Sequence, residues 1–143
     1  MKRSLVILSS LFIFAAVSSA QAEMTTIYGP VYVTKTKGSE HHKEKTKFTF
    51  SAPVAGSGVL IVKNGGDSGK KARVSSAEIE LNGEEVADEN NFNKNVEKLQ
   101  FNVQLLADNE IEVEIKSCKS CELEISVMGE QAAVKTPPAR PVY

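Results

Sequence analysis

Residues 110–116 have the sequence EIEVEIK, in which glutamate alternates with isoleucine and valine until Lys116. The same alternation occurs at residues 78–81 (EIEL) and 122–127 (ELEISV). Successive side chains of a β-strand point to opposite faces, so a period of two predicts strands with one buried face and one solvated face. Strands of this kind are typical of antiparallel sheets that pack face to face.

Eight strands are predicted from this alternation and from the turn residues between its segments. Asn82-Gly83 is the strongest hairpin signal, because both residues tolerate a positive φ angle. Residues 88–98 are mostly polar, and we expect a loop there, with one short turn, that Phe92 anchors to the core. The predicted fold is an all-β, antiparallel two-sheet β-sandwich of jelly-roll or Ig-like topology. Its strands are expected near residues 27–36, 45–51, 57–63, 73–82, 85–88, 96–106, 109–117 and 121–128.

The N-terminal residues 1–22 have the order of a bacterial secretory signal peptide. Lys2 and Arg3 precede an apolar stretch at residues 5–17, and small residues follow up to Ala22. The apolar stretch is shorter than the roughly 20 residues that a membrane-spanning helix needs. We therefore expect cleavage after Ala22 and a periplasmic or secreted protein that does not span a membrane. It would consist of a β-sandwich domain at 23–130 and a disordered, proline-containing tail at 131–143.

The charge balance argues against nucleic acid as a partner. The full chain has 17 basic and 18 acidic residues, and loss of Lys2 and Arg3 with the leader would leave 15 against 18, a net charge of −3. Phosphate backbones are usually bound by a basic stripe. No Ser-His-Asp arrangement, phosphate-binding loop or paired-carboxylate motif stands out in the sequence, so we expect a protein that is not an enzyme.

Cys118 and Cys121 are the only cysteines, and in an exported chain we expect them to form a disulfide. We expect the last two strands to form a hairpin in which Ile115 pairs with Leu123 or Ile125, so that both strands bury the same face. That register requires an odd-numbered loop, of about three residues with a bulge, and the disulfide would close the hairpin tip. The alternatives are a redox-active pair or a metal or haem site. Redox pairs of this spacing normally begin a helix, haem attachment needs a following histidine, and zinc needs a second ligand pair.

Five further residues are candidates for a binding site. His41 and His42 lie in a polar stretch between the first two strands and would bind a metal only from a loop or with a neighbouring glutamate. Asp67 is the one carboxylate of an oxygen-rich loop at residues 64–69 that, like residues 88–93, offers oxygen ligands for Ca²⁺. Neither loop has EF-hand spacing, and ordinary turns are the preferred interpretation. Tyr28 and Tyr32 are the aromatic residues available to face a ligand.

Three stretches resemble a β-sandwich module that is common in large secreted and cell-surface proteins of environmental bacteria. The first is residues 28–33 (YGPVYV) followed by Gly38, the second is residues 73–77 (RVSSA) continuing through Leu81-Asn82-Gly83, and the third is Phe92-Asn93 followed later by Asn109. In that family the module is an accessory domain without catalytic residues, so the resemblance implies a non-catalytic role. The chain departs from the family pattern at residues 117–121 (SCKSC), where a turn with glycine or proline is usual.

Three functions remain open from the sequence. The first is an exported, non-catalytic module that binds another envelope or extracellular protein. The second is a carbohydrate-binding module for a polysaccharide, which would gain support from two tyrosines that are coplanar on one solvent face. The third is a small redox or metal-binding protein that uses Cys118 and Cys121. No cofactor is expected, apart from Ca²⁺ as an alternative at the oxygen-rich loops.

Overall fold

The computed structural model describes residues 22–36 and 45–133, and within these ranges it contains eight strands and two 3₁₀ turns but no α-helix. The strands are β1 (Met24–Lys35), β2 (Thr46–Ser51), β3 (Gly56–Asn64), β4 (Ser76–Leu81), β5 (Glu84–Ala87), β6 (Lys98–Leu105), β7 (Asp108–Ser117) and β8 (Cys121–Glu130). The two turns lie at Lys70–Ala72 and Glu89–Asn91.

The strands form two antiparallel four-stranded sheets, ordered β1-β8-β3-β6 and β2-β7-β4-β5. The chain pairs from its ends inwards, because β1 pairs with β8, β2 with β7, β3 with β6 and β4 with β5. This nested pairing of eight strands in two sheets is the jelly-roll arrangement. The predicted two-sheet β-sandwich is therefore confirmed, with the jelly-roll as its topology.

The hydrophobic core lies between the two sheets and follows the alternation seen in the sequence. In β7, Ile111 and Val113 are fully buried while Glu112 between them faces outwards. In β8, Leu123 and Ile125 are fully buried in the same way. Burying an aliphatic side chain contributes about 1.5–3 kcal/mol, so these alternating positions are the main reason why the sheets pack on each other.

The expected hairpin between the last two strands is wrong. The strand that contains Ile115 pairs with β2 and β4, whereas the strand that contains Leu123 and Ile125 pairs with β1 and β3. β7 and β8 therefore face each other across the core, and residues 118–120 cross from one sheet to the other. Alternation shows which face of a strand is buried. It does not show whether the next strand is a neighbour in the same sheet or lies in the opposite sheet, because both arrangements have the same pattern.

The other local predictions have mixed outcomes. Asn82 and Gly83 form the expected β4–β5 hairpin turn, with φ angles of 54° and 81°. The loop after β5 contains the expected short turn at Glu89–Asn91, and Phe92 is 3% exposed in the core. The strand predicted at 73–82 begins only at Ser76, because residues 73–74 are bonded to side chains and loops rather than to a neighbouring strand.

Some predictions fall on parts of the chain beyond the described residues. These are the leader up to residue 21, His41 and His42, and residues 134–143 of the expected tail. Across 22–36 and 45–133, no helix has the length and hydrophobicity to cross a membrane.

Candidate functional site

A lysine-lined hollow opens at the end of the sandwich where β1 and β7 end and β8 begins. Its volume is about 740 Å³. No carboxylate belongs to its described lining. The hollow is lined by Lys35, Lys71, Lys94, Lys116 and Lys119, by Ser75, Ser117 and Ser120, and by Cys118. Five lysines from four separate segments of the chain thus line one opening.

The five lysines differ in how their charge is compensated. Lys116 Nζ donates to the Glu78 carboxylate at 2.6 Å, and this hydrogen bond raises the pKa of Lys116 above its ordinary value of 10.5. Lys35 Nζ donates only to main-chain oxygens, at 3.1 Å to Ile115 and 3.5 Å to Lys116. The ammonium groups of the other three lysines have no partner among residues 22–36 and 45–133. These three are Lys71, Lys94 and Lys119.

Asn64, at the end of β3, holds two of the lysine-bearing segments in place. It is 2% exposed, and its Oδ1 accepts a hydrogen bond from the Val74 N–H at 2.7 Å. Its Nδ2 donates to the carbonyl oxygens of Val74 at 3.0 Å and Asn93 at 3.2 Å. The segment after Lys71 and the segment before Lys94 are therefore both fixed to one buried amide.

Arg73 adds a second link on the same side of the hollow. Its guanidinium group donates to the Lys94 carbonyl oxygen at 3.2 Å and to the Glu97 carboxylate at 3.0 Å. The side chain is 11% exposed. Because its guanidinium group bonds to Glu97 and to the Lys94 carbonyl oxygen, and Arg73 is not part of the lining, Arg73 positions the Lys94 turn.

The opposite side of the hollow is closed by the crossover from β7 to β8. A disulfide joins Cys118 and Cys121, with a Cα–Cα distance of 6.1 Å, so the expected disulfide is confirmed. It closes the crossover between sheets rather than a hairpin tip. Ser75 Oγ donates to the Ser117 carbonyl oxygen at 2.9 Å, which fastens the crossover to the start of β4.

The described lining offers the donors that anion binding uses. An ammonium group offers three donors and no acceptor, and it attracts phosphate, sulfate or carboxylate as a point charge. A concave surface lined by one sign of charge concentrates its field on a ligand of the opposite sign. The described lining offers no histidine or carboxylate that would act as a general base.

Sequence reasoning missed this site because it used the total charge of the chain. The five lysines are separated by as many as 84 positions, from residue 35 to residue 119. A usable signal was present, however, because Lys71, Lys94 and Lys119 lie in turn-forming segments between predicted strands. Loops at the same end of a sandwich cluster in space, but the sequence does not show which loops share an end.

The two tyrosines do not form a common surface. Tyr28 is partly buried and stacks on Phe50, with ring centroids 4.7 Å apart. Tyr32 lies on the outer face of its sheet and is 43% exposed. Its hydroxyl donates to the Asp67 carboxylate at 3.1 Å, and this bond raises the pKa of Tyr32. The coplanar pair expected of a sugar-binding platform is not formed.

Asp67 has two side-chain partners among the described residues. Besides Tyr32, Lys63 Nζ is 3.5 Å from its carboxylate. In the other oxygen-rich loop, the Asp88 carboxylate caps its turn by accepting from the Asn90 N–H at 2.8 Å. The described part of the chain holds no group of three or more His, Cys, Asp or Glu residues that could hold a metal ion.

Comparison of the chain with protein-family models, with curated proteins and with solved structures finds no match. The resemblance to the accessory module of secreted proteins therefore stays a prediction.

Proposed function

We propose that this chain is an exported, non-catalytic binding module of the periplasm or cell surface, and that its lysine-lined hollow binds an acidic segment of an envelope or extracellular protein. One observation carries the proposal. Lys71, Lys94 and Lys119 lie around one opening without a counter-charge from the described residues, in a chain that is slightly acidic overall.

The contrast with Lys45 and Lys47, on the outer face of the β2-β7-β4-β5 sheet, supports a binding role. Lys45 and Lys47 lie within 3.3 Å of glutamate carboxylates on the outer face of their sheet. Like charges that share a concave surface repel each other, and an anionic ligand removes that repulsion. The segments that carry Lys71, Lys94 and Lys119 are held rigidly, because Asn64 is buried and the crossover carries a disulfide. A rigid site loses less conformational entropy on binding.

An acidic protein segment fits the hollow better than a neutral sugar. Its carboxylates match several ammonium groups at once, whereas a neutral sugar depends on stacking against aromatic faces. The exposed Tyr32 points its hydroxyl at Asp67, and Tyr28 is committed to Phe50. Binding through lysines should also weaken as salt is added, because exposed charges are screened over about 8 Å at physiological ionic strength.

The test uses residues 23–143 and a fluorescein-labelled oligoglutamate peptide, with fluorescence anisotropy at low and at physiological salt. The triple variant Lys71→Gln, Lys94→Gln, Lys119→Gln should weaken binding by at least about tenfold, equivalent to 1.4 kcal/mol. The triple variant Lys45→Gln, Lys47→Gln, Lys63→Gln is the matched control, because it removes the same charge outside the hollow. It should leave the affinity within about threefold, a change of less than 1 kcal/mol.

Two outcomes contradict the proposal. If both triple variants weaken binding equally, the peptide responds to overall charge and not to the hollow. If an oligogalacturonate binds in a Lys71-, Lys94- and Lys119-dependent manner and the peptide does not bind, the site takes an acidic polysaccharide and the protein partner is rejected.

A further inference from the structure

The four edge strands of the sandwich differ in how well they are protected from pairing with another strand. Exposed sheet edges are usually blocked by shortness, charge, proline or bulges. β1 has two register shifts and contains Pro30, and β5 has only four residues and begins with two glutamates. β2 carries Lys47 and is preceded by Lys45, and both make ion pairs with outward glutamates.

β6 is the unprotected edge. It has eight residues with the sequence KLQFNVQL, and it pairs with β3 over its whole length without a register shift. Residues 99–105 contain no charge, proline or glycine. Uncharged segments of six or seven residues with alternating apolar side chains readily add to a further strand. The outer edge of β6 has no strand beside it among the described residues.

The sequence of β6 is complementary to itself in the antiparallel direction. A twofold axis at Asn102 places Leu99 opposite Leu105, Gln100 opposite Gln104, and Phe101 opposite Val103 of the second copy. Each position then meets a side chain of its own kind, amide against amide and apolar against apolar. A symmetric dimer interface requires this property, because the same surface serves both copies.

The faces of β6 agree with this register. Gln100, Asn102 and Gln104 are exposed on the outer face, while Phe101 and Val103 are partly buried and line a groove of about 540 Å³ beside β5. The two grooves would become continuous across the twofold axis. The apolar side chains of both copies would then lie together in the interior, and the amides would form a row on the outer face.

The charges at the ends of the groove are complementary in the same register. Lys98 begins β6 and falls opposite Leu106 of the second copy, which is 53% exposed. Glu84 and Glu85 line the groove together with Leu106. None of these three charged side chains has a partner within the described ranges. The register therefore brings Lys98 of each copy to the acidic end of the other groove.

We propose that two copies of this chain associate through antiparallel pairing of their β6 strands, centred on Asn102, and so join two four-stranded sheets into one of eight strands. The second copy is the occupant of the β5–β6 groove. This inference is independent of the lysine-lined hollow, none of whose lining residues belongs to β6.

The test measures the mass of residues 23–143 by sedimentation equilibrium over a wide range of protein concentration. Wild type should approach twice the mass of one copy. The variant Gln100→Lys, Gln104→Lys and the variant Gln100→Glu, Gln104→Glu should each remain monomeric, because like charges face each other in the dimer. An equimolar mixture of the two should dimerise again, since each lysine then meets a glutamate.

A second measurement fixes the register. Asn102→Cys should form an intermolecular disulfide under mild oxidation, because directly opposed residues have Cβ atoms about 4.5–5.5 Å apart. Thr49→Cys, on the edge strand β2, is the control and should not cross-link. A wild-type protein that stays monomeric at every concentration overturns the proposal. So does a dimer that persists in both charge variants, since it must use another surface.

Discussion

Asn64 has a structural role that its position at the end of a strand does not reveal. Its side chain bonds both polar groups of Val74 and the carbonyl oxygen of Asn93, at distances of 2.7–3.2 Å. These groups are buried or partly buried, so removing the amide leaves them without partners. An unpaired buried polar group costs about 1–3 kcal/mol.

Asn64→Ala should therefore lower the free energy of unfolding by about 2–4 kcal/mol, as measured by urea denaturation followed by circular dichroism. It should also weaken binding of oligoglutamate, because the Lys71 and Lys94 segments lose their common attachment. Asn95→Ala is the control, since Asn95 is exposed and its side chain makes no hydrogen bond to a described residue. A loss of stability no larger than that of the control would show that the amide does not hold these loops.

Local signals predicted some residues well and others not at all. Asn82-Gly83 was predictable because a two-residue turn depends only on its own φ angles. The role of Asn64 was not, because its partners lie 10 and 29 positions away and the sequence does not show that they converge. The alternation likewise predicted which residues of each strand are buried, because it depends on the strand alone. The three lysines of the hollow that have no partner among the described residues became visible only once the loops were placed.

The outer face of the β2-β7-β4-β5 sheet is a network of glutamates and lysines. Glu112, on β7, lies between Lys47 and Lys45, and its carboxylate is 3.3 Å from the Lys45 ammonium. The hydrogen bond from Lys47, followed by that from Lys45, lowers the pKa of Glu112 below its usual value of 4.5. The folded protein thus holds this carboxylate in its charged form more strongly than the unfolded chain does.

A lowered pKa fixes the sign of the pH dependence. Between the folded and unfolded pKa values of Glu112 the unfolded chain binds more protons, so the stabilisation is fully present above pH 4.5 and is lost as the pH falls through the folded value. Glu112→Gln should make the decrease of unfolding free energy below pH 4.5 shallower, measured by urea denaturation at a series of pH values. Glu130→Gln, which removes a glutamate outside both proposed binding surfaces and without an ion pair to a described residue, should leave the slope as in wild type. An unchanged slope in Glu112→Gln would show that the lysines do not stabilise this carboxylate.

The partners of the strands were harder to predict than the strands themselves, because strands of both sheets show the same alternation. β7 and β8 have nearly identical alternation, and the sequence between them is short enough for a hairpin. The chain nevertheless crosses between the sheets. β8 lies between β1 and β3, and β7 lies between β2 and β4, so neither strand has a free edge with which to pair with the other. A connection of three residues between opposite sheets leaves Cys118 and Cys121 within reach of each other, which the hairpin register also allowed. The disulfide prediction is correct although the hairpin predicted around it is wrong, because it rested on the two cysteines of a chain expected to be exported and not on that pairing.

In the nested pairing of the jelly-roll the first strand, β1, covers the edge of the last strand, β8, so β8 depends on β1. Among the described strands, β1 is an edge strand that pairs only with β8, over nine registered positions from Met24 to Lys35. It contributes the buried Val33, the ring of Tyr28 against Phe50, and the Lys35 ammonium that caps the end of β7. Burial of one such side chain is worth about 1.5–3 kcal/mol, while a whole domain is stable by only about 5–15 kcal/mol.

A chain that begins at Lys45 should therefore lose its cooperative urea transition, because β8 would have an open edge and an uncovered row of core residues. A synthetic peptide of residues 22–36, added in excess, should restore the transition by pairing with β8, with a midpoint that rises with peptide concentration. The control ends at residue 133 instead and retains all eight strands, so it should unfold cooperatively without added peptide. If the chain from Lys45 unfolds at the same urea concentration as residues 23–143, the pairing of first and last strands does not carry the fold. If the peptide restores nothing, the register of β1 on β8 is wrong.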